Sequence, residues 1–412
     1  MKSVRATGLP VTFIQNSESK GYAMTDITAL VARETERLST IRQTLHKIPE
    51  TGFAEKKTAR FVAEQLCGIP DIQVTTGIAK TGVLGLLKTG RPGKTLLVRA
   101  DMDALPISEE TGLAFASTHD NAMHACGHDG NMAMVLTTAR ILSTLKDRFF
   151  GNIKFMFQPA EEWPGGAKPM IDAGILQNPP VDFAVACHLW PGLPSGALGL
   201  KSGVLMAATT VFEIEITGRG GHGAMPHQCV DALDTAAQVV NALQRVVSRK
   251  LNPLTPSVVT VGSLHAGSSP NTIPGKALLT GTTRTYDKTV WYNYHNILEP
   301  VVKGVCDAMG ASYKFTLTPG YPPLENDPDM VDIMQKTMRQ VVGQDRIMVP
   351  ESTMGGEDMA FVFEKIKGCY FFIGSGYDGC APLHNSKFDF DESLLQLGVE
   401  TQVRFALDLL SG

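Results

Sequence analysis

The sequence has little that would commit it to nucleic acid, a membrane or the extracellular space. Its 37 Lys and Arg are outnumbered by 41 Asp and Glu, giving a formal net charge of −4. The cationic excess that phosphate neutralisation demands is missing, which excludes nucleic-acid binding as a main function. No run reaches the ~18 consecutive apolar residues of a membrane-crossing helix. The first 23 residues lack a continuous apolar stretch followed by a small-residue cleavage site, which argues against secretion. Residues 1–23 are expected to be a disordered segment or an extension, and Met24 is a candidate start. Seven cysteines, at 67, 126, 187, 229, 306, 369 and 380, are odd in number and scattered. They do not form the paired framework of a stapled secreted domain, so a cytoplasmic protein with free thiols is expected. Internal repeats and low-complexity segments are also missing.

What is present is an alternation of helical and strand patterns. Apolar spacing over 26–46 and 56–67 fits amphipathic helices, and short β-rich runs occur at 95–98, 153–157 and 181–186. A helical stretch at about 131–145 separates the first two runs. Strands alternating with helices at this spacing predict an α/β fold: a mixed, largely parallel sheet flanked by helices. Residues 208–217 (ATTVFEIEIT) instead alternate with period two, as a strand with one wet face does. After them come a helix at 230–249, strands at 257–265 and 276–286, a helix at 289–308 and a strand at 312–318. That order, β-α-β-β-α-β, is a ferredoxin-like motif. The expected organisation is a discontinuous catalytic domain, 1–202 and 318–412, interrupted by an α+β satellite domain at 203–317. The first pattern resumes with a helix near 329–342, a strand at 370–373 and a helix at 391–410.

Polar groups recur where the predicted parallel strands end, the position at which open sheets hold ligands. LLVR runs into Asp101 and Asp103, KFMFQPA into Glu161 and Glu162, and FAVAC into His188. HACGHD puts His124, Cys126, His128 and Asp129 within six residues, a mixture of donors that a transition metal can use. The same residues could be a buried small thiol and a satisfied loop histidine, or a Cys126 nucleophile with His128 as its base. The adjacent carboxylates Glu161 and Glu162 allow one to ligate a divalent cation while the other acts as a general base, although acids also collect at helix N-termini. His188 in ACHLWPG and His384 in APLHNSK carry weight only as members of a set.

The successive segments LHKIPETGFAEKKTA, RADMDALPISEETG, HACGHDGNMAM, FQPAEEWPGGAKPMI, HLWPGLPSG, GRGGHGAMPH, NTIPGKALLTGTTRT, GGEDMAFV and PLHNSKFDFDE carry a resemblance. They resemble, in order and over about residues 40–410, the metal-dependent amidohydrolases that include hippurate hydrolase, N-acyl-amino-acid amidohydrolases and the plant auxin-conjugate hydrolases. The resemblance implies a two-metal catalytic domain of the aminopeptidase/carboxypeptidase type with the inserted satellite. Carried over by position, the metal ligands are Cys126, His128, Glu162, His188 and His384, with Cys126 where related peptidases have a bridging Asp. Glu161 is then the general base and acid. Asp101 is the acid that orients a ligand imidazole. Arg99 stands where related peptidases have a further ligand His, and cannot ligate. His222 is implied as the oxyanion donor, and Asn271 and Arg284 as holders of the substrate carboxylate. Gly223, where the subfamily more often has Ala, and the unusual Cys229 are departures on the satellite side.

The implied reaction is hydrolysis of the amide of an N-acyl amino acid to a carboxylic acid and a free amino acid. Two divalent ions per chain are implied, manganese or zinc first, with cobalt or nickel also suited to a thiolate, imidazole and carboxylate set. A dipeptidase or carboxypeptidase with the same centre is the alternative reading, and a non-catalytic small-molecule binding protein a more distant one. A homodimer through the satellite domain is the implied assembly, with no nucleic-acid or membrane partner.

Overall fold

The structure is a computed structural model that describes residues 26–411. The expectations for residues 1–23 and Met24 lie outside the described residues. An eight-stranded sheet runs in the order 72–78, 82–88, 152–158, 95–101, 183–194, 367–376, 198–199 and 347–348. Its centre is parallel: Thr95–Asp101 pairs in parallel with both Asn152–Gln158 and Phe183–Pro194, and the latter pairs in parallel with Lys367–Gly376. All seven residues of Thr95–Asp101 are buried, as in a strand covered on both faces. The mixed α/β architecture expected from the sequence is therefore observed.

The helix His128–Thr144 packs along one face, with Leu395–Leu410 and Thr35–His46 against it. Nearly every side chain of His128–Thr144 is buried, so it is a core helix rather than an amphipathic one. It starts at Gly127, whose φ of 84° lies in the left-handed region and lets the chain turn sharply from Cys126 into the helix. Three details differ from the sequence reading. The 26–46 helix is broken at Glu34 into Ile27–Arg33 and Thr35–His46, because Glu34 (φ −94°, ψ 0°) leaves helical geometry. The last helix begins at Leu395, after a 3-10 turn that Asp391 caps. The hairpin Ile72–Ile78 with Gly82–Lys88 extends the sheet with antiparallel strands.

The second sheet has four antiparallel strands in the order Ser257–Ala266, Lys276–Thr285, Ala208–Thr217 and Ser312–Pro319, with helices Ala232–Arg249 and Lys288–Met309 packed on it. This is the ferredoxin-like order. The two helices start at Asp231 and Asp287, whose carboxylates accept backbone N–H bonds of the first turn. Phe212, Ile214, Leu243, Leu279, Leu298 and Val302 belong to a core of its own, separate from the one under the large sheet. Truncating one of them, Leu279→Ala for example, should cost about 2–5 kcal/mol.

The chain leaves for this second unit and returns from it side by side. Gly203–Met206 pairs antiparallel with Leu324–Asn326. Just inside them Thr209 N donates to Tyr321 O at 2.9 Å, and Tyr321 N donates to Thr209 Oγ1 at 2.9 Å.

Candidate metal centre

The carboxyl ends of the central strands open into a cavity of about 370 Å³ lined by Cys126, Glu161, Glu162, His188, His384 and Arg284, among others. Possible ligand atoms of Cys126, His128 and His188 lie within 4.8 Å of one another, as do those of Cys126, Glu162 and His384, and of His128, Glu161 and Glu162. Five residues spread over more than 250 positions of sequence thus gather with Glu161 in one set of overlapping groups.

The backbone holds each of them there. Glu161 follows the strand Asn152–Gln158 after Pro159 and Ala160, and Ala160 adopts a left-handed φ of 52°. Such a φ is unfavourable for a residue with a Cβ and persists only where surroundings impose it. Here Ala160 N donates to Glu55 Oε1 at 2.9 Å, Glu161 N to Asp103 Oδ1 at 2.9 Å and Glu162 N to Asp103 Oδ2 at 3.0 Å. Tyr321 Oη donates to Glu161 O at 2.6 Å. Gly166 closes the turn, and a Cβ there would sit 1.8 Å from Pro159 O. His384 has a left-handed φ of 65°, and its N–H donates to Ala125 O at 2.8 Å, next to Cys126.

The imidazoles are held by their far nitrogens. His128 Nδ1 lies 2.9 Å from Asp103 O, and His188 Nδ1 lies 2.7 Å from Leu189 O. Each Nδ1 therefore donates to its carbonyl, which turns Nε2 toward the cavity as the nitrogen a cation would take. Asp101 does not provide the orienting bond that the sequence led us to expect. Its Oδ2 lies 3.7 Å from His128 Nε2, on the cluster side of the ring, and the carboxylate is held by Arg99 Nη1 at 2.6 Å and Asn131 Nδ2 at 2.9 Å. The carbonyl of Asp103, two residues past the end of its strand, takes the position instead.

The electrostatics ask for a cation. His128 Nε2 and Glu162 Oε1 are buried with no hydrogen-bond partner among the described residues. His384 Nε2 comes within 2.9 Å of Glu162 Oε1, off the line of a hydrogen bond. Burial lowers the His128 imidazole, but Asp101 and Asp103 outweigh it and push the pKa up to about 10. Burial, then the charges of Glu162 and Glu161, hold the Cys126 thiol well above its ordinary range. Burial also raises Glu162, but His384 and His128 prevail and keep it below the usual carboxylate value. Burial lowers His188. A thiol that resists ionisation, an imidazole kept protonated by its neighbours and orphaned polar atoms all change character together if divalent cations sit among them. The donor set of thiolate, imidazoles and carboxylate fits such ions.

Behind the cluster lies a buried network that sequence reasoning did not assemble. Arg99 donates through Nη2 to Glu357 Oε1 at 2.9 Å and lies 3.3 Å from Asp358, while Tyr370 Oη donates to Glu357 Oε2 at 2.7 Å. Glu357 and Asp358 come within 4.8 Å of Glu161. Burial, then the charges of Glu357 and Glu162, push the Glu161 carboxyl well above its ordinary range. The GGED motif was the signal for this acid pair, but its distance from Arg99 in sequence concealed the contact.

The satellite residues divide. Arg284 lines the cavity, half-buried, with Nη1 donating to Thr283 O at 2.9 Å and no carboxylate partner among the described residues. Burial lowers its pKa. His222 and Asn271 are exposed and do not line the cavity. They sit on a small ribbon in which Gly221–His222 pairs with Thr272–Ile273, and Asn271 Oδ1 accepts from Ser269 Oγ at 2.7 Å.

With this geometry in view, comparison with known proteins gives a consistent answer. Residues 97–408 match the family described as peptidase family M20/M25/M40. The chain is similar to the N-acyl-L-amino acid amidohydrolase of Geobacillus stearothermophilus, 46% identical over 286 residues that cover 69% of this chain and 76% of the relative. It is also similar to thermostable carboxypeptidase 1 of Saccharolobus solfataricus, 36% identical over 365 residues, 87% of this chain and 91% of the relative. Among solved structures it is similar to a dinuclear metal binding peptidase from M20 family of Bacillus subtilis, with a TM-score of 0.80 and 32% identity over 92% of this chain and 99% of that one.

Proposed function

The chain belongs to peptidase family M20/M25/M40, and from that premise we propose that it is a metal-dependent amidohydrolase cleaving N-acyl amino acids to a carboxylic acid and a free amino acid. The observation that carries this reading is the convergence of five donors of transition-metal type, two of their atoms orphaned and buried, beside a carboxyl of raised proton affinity.

In this reading Cys126, His128, Glu162, His188 and His384 would hold two divalent ions, manganese or zinc first, with cobalt or nickel as further fits. When bound, the ions polarise the scissile carbonyl and acidify the attacking water. Glu161 takes the proton from that water and delivers it to the leaving nitrogen. Its burial among acids suits the role, since a base works best when its proton affinity is lifted toward the operating pH. Asp103 holds Glu161 and Glu162 in place through their backbone N–H groups. Asp101, locked by Arg99 and Asn131, supplies negative charge beside the ring that ligates through His128 Nε2.

Arg284, without an acidic partner in the cavity, receives the substrate carboxylate as a bidentate fork. His222 and Asn271 complete the site from a second copy of the chain, His222 as oxyanion donor and Asn271 as a carboxylate contact. This requires a homodimer through the satellite, residues 203–317, which thereby acts as lid and dimer contact on a catalytic domain formed by 1–202 and 318–412. No helix among the described residues is long and apolar enough to cross a membrane, and the free cysteines suit the cytoplasm.

The test is amino-acid release from N-acetyl, N-benzoyl and indolyl-acyl amino acids by protein stripped with chelator and reloaded with each metal. Turnover that vanishes on stripping and returns on loading is expected. The similarity to a carboxypeptidase favours one second reading, peptide cleavage at the same centre. A dipeptide with a free amino group, cleaved faster than its N-acyl analogue, would select it. Silence on both classes with two metals bound per chain would indicate a binding role instead.

A further inference from the structure

Tyr321 is the second residue after the last satellite strand, Ser312–Pro319, and it is buried. Its backbone stays with the satellite. Thr209, the second residue of the entering strand Ala208–Thr217, accepts from Tyr321 N through Oγ1 and donates to Tyr321 O, each at 2.9 Å. The carbonyl of Thr209 accepts from Gly320 N at 2.9 Å and from the indole Nε1 of Trp291 at 2.9 Å. Trp291 belongs to the helix Lys288–Met309, sits in the satellite core and does not line the cavity.

The side chain of Tyr321 runs the other way, toward the base. Its ring passes between two stretches of bare backbone, since a Cβ at Gly165 would fall 2.8 Å from Cε1 and one at Gly356 would fall 3.4 Å from Cδ2. The first stretch follows Glu161 and Glu162, and the second precedes Glu357 and Asp358. At the tip of the ring the hydroxyl donates to Glu161 O at 2.6 Å, while Glu162 N, in the same planar peptide group, donates to Asp103 Oδ2 at 3.0 Å. Holding that plane at both ends fixes ψ of Glu161 and φ of Glu162, and with them the directions in which the two side chains leave the backbone.

Resting on the reading above, in which Glu161 is the base, we propose that Tyr321 is a positioning residue through which the satellite aims that base. Trp291 holds Thr209, Thr209 holds the backbone of Tyr321, and the hydroxyl holds the Glu161–Glu162 peptide. Proton transfer tolerates little displacement of the base, so lost aim is felt in kcat. Substrate binding through Arg284 does not depend on it. The contrasting role is that of a partition: Tyr321 lines both the central cavity and a neighbouring one of about 450 Å³ that includes Phe53, Trp163 and Phe361. A partition needs the ring and not the hydroxyl.

The experiment measures kcat and KM of metal-loaded Tyr321→Phe, Trp291→Phe and the double variant on the N-acyl amino acid that the wild type cleaves fastest. Thr209 lines the cavity and is left intact. Tyr321→Phe keeps the ring and should lower kcat by ~10-fold or more with KM unchanged. Trp291→Phe should lower kcat by ~2–10-fold, the range of coupling through a contiguous network, and should add nothing in the Tyr321→Phe background. Leu279→Ala, which removes satellite packing but none of these hydrogen bonds, should leave kcat of the folded protein unchanged. A readout free of turnover accompanies this: amide hydrogen exchange over 160–166 should quicken in both single variants and not in Leu279→Ala, while that of 128–144 holds. Full kcat in Tyr321→Phe, effects that multiply in the double variant, a change carried by KM, or an equal loss in Leu279→Ala would overturn the positioning role and leave the amidohydrolase reading standing. A wild type that cleaves no acyl amino acid would overturn that reading itself, and unchanged exchange over 160–166 would show separately that Tyr321 does not hold the peptide.

Discussion

In the proposed reaction the candidate ligand cluster and the satellite ribbon act together, yet they are built in opposite ways. Around the cluster most polar groups are buried, with His384 exposed and Glu162 half-buried, and two residues, Ala160 and His384, stand in left-handed backbone conformations that cost of order 1–3 kcal/mol each. In the satellite strands and helices, from 208 to 319, no residue other than glycine has a positive φ. His222 and Asn271 lie there on a relaxed, exposed ribbon whose hydrogen bonds are internal. The difference separates two tasks. Metal ligands and the base must be fixed before substrate arrives. In the proposed reaction, groups that contact the substrate from the satellite side can be added afterwards, from an exposed surface.

The largest expected effect breaks the fixed side. Glu161→Gln keeps the shape and the backbone bonds to Asp103 but cannot accept a proton. Turnover should fall at least ~10²-fold while metal content, measured by elemental analysis, stays at the wild-type level. Retained turnover would remove Glu161 from the role of base. Loss of metal along with turnover would make it a ligand.

The next effect, on the ribbon, is comparable in size but differs in kind. His222→Ala should cost ~10²-fold in kcat, as loss of an oxyanion donor does. Because His222 does not line the cavity of its own chain, unfolding and refolding it together with Glu161→Gln should restore activity. A heterodimer unites the sound Glu161 of one chain with the sound His222 of the other, and random pairing should return about a quarter of wild-type turnover. No restoration would mean that His222 serves its own chain through closure of the satellite.

Much of the fixed side was legible from sequence for a physical reason. Parallel strands deliver their carboxyl ends to one edge, so Glu161, Glu162 and His188 could be grouped from strand ends alone, and HACGHD supplied Cys126 and His128. His384 was weaker, a lone histidine whose membership depends on a left-handed turn and a bond to Ala125. Asp103 lay in the RADMD run, but its use of both carboxylate oxygens on two consecutive N–H groups is a tertiary fact. Arg99 with Glu357 and Asp358, and Tyr321 on Glu161, join positions too far apart for any local pattern to reveal. The hairpin at 72–88 was missed because IQVTTGI and GVLGLLK give no clean alternation of buried and exposed residues. For His222 and Asn271, sequence supplied the names but not the distance from the cavity.

A smaller effect concerns the buried support of the core helix. Asp129, next to His128, accepts from Arg42 Nε at 2.9 Å and lies 2.8 Å from His46 Nδ1, while His46 Nε2 lies 3.3 Å from Glu109. Burial lowers His46, but the Asp129 charge and the bonds to Asp129 and Glu109 lift it to about 9. A pKa raised above the unfolded value of 6.5 contributes stability that is complete below 6.5 and is lost as pH climbs through about 9. The loss should be at most on the order of 3 kcal/mol. Hydrogen exchange read separately in the two regions should show protection of 128–144 falling between pH 6 and 9 while that of 232–249 holds. His46→Gln should flatten the trend. Equal loss in both helices would mean that the contrast between the regions does not extend to their pH response.

The smallest effect tests whether the backbone conformation beside the base is a cost borne for function. Ala160→Gly removes the Cβ that disfavours φ 52°, which should recover roughly 1 kcal/mol. It also widens the unfolded ensemble, which takes back about 0.4–1 kcal/mol. The two nearly cancel, so thermal stability should change by less than about 1 kcal/mol in either direction. Activity is the sharper readout. Glu55, Asp103 and Tyr321 still hold the peptide groups on both sides of position 160, so kcat should fall less than ~10-fold if those bonds, rather than the alanine, impose the turn. A larger fall, with stability unchanged, would show that the Cβ itself keeps Glu161 aimed. The rigidity of the ligand side would then reside in a single methyl group rather than in the network around it.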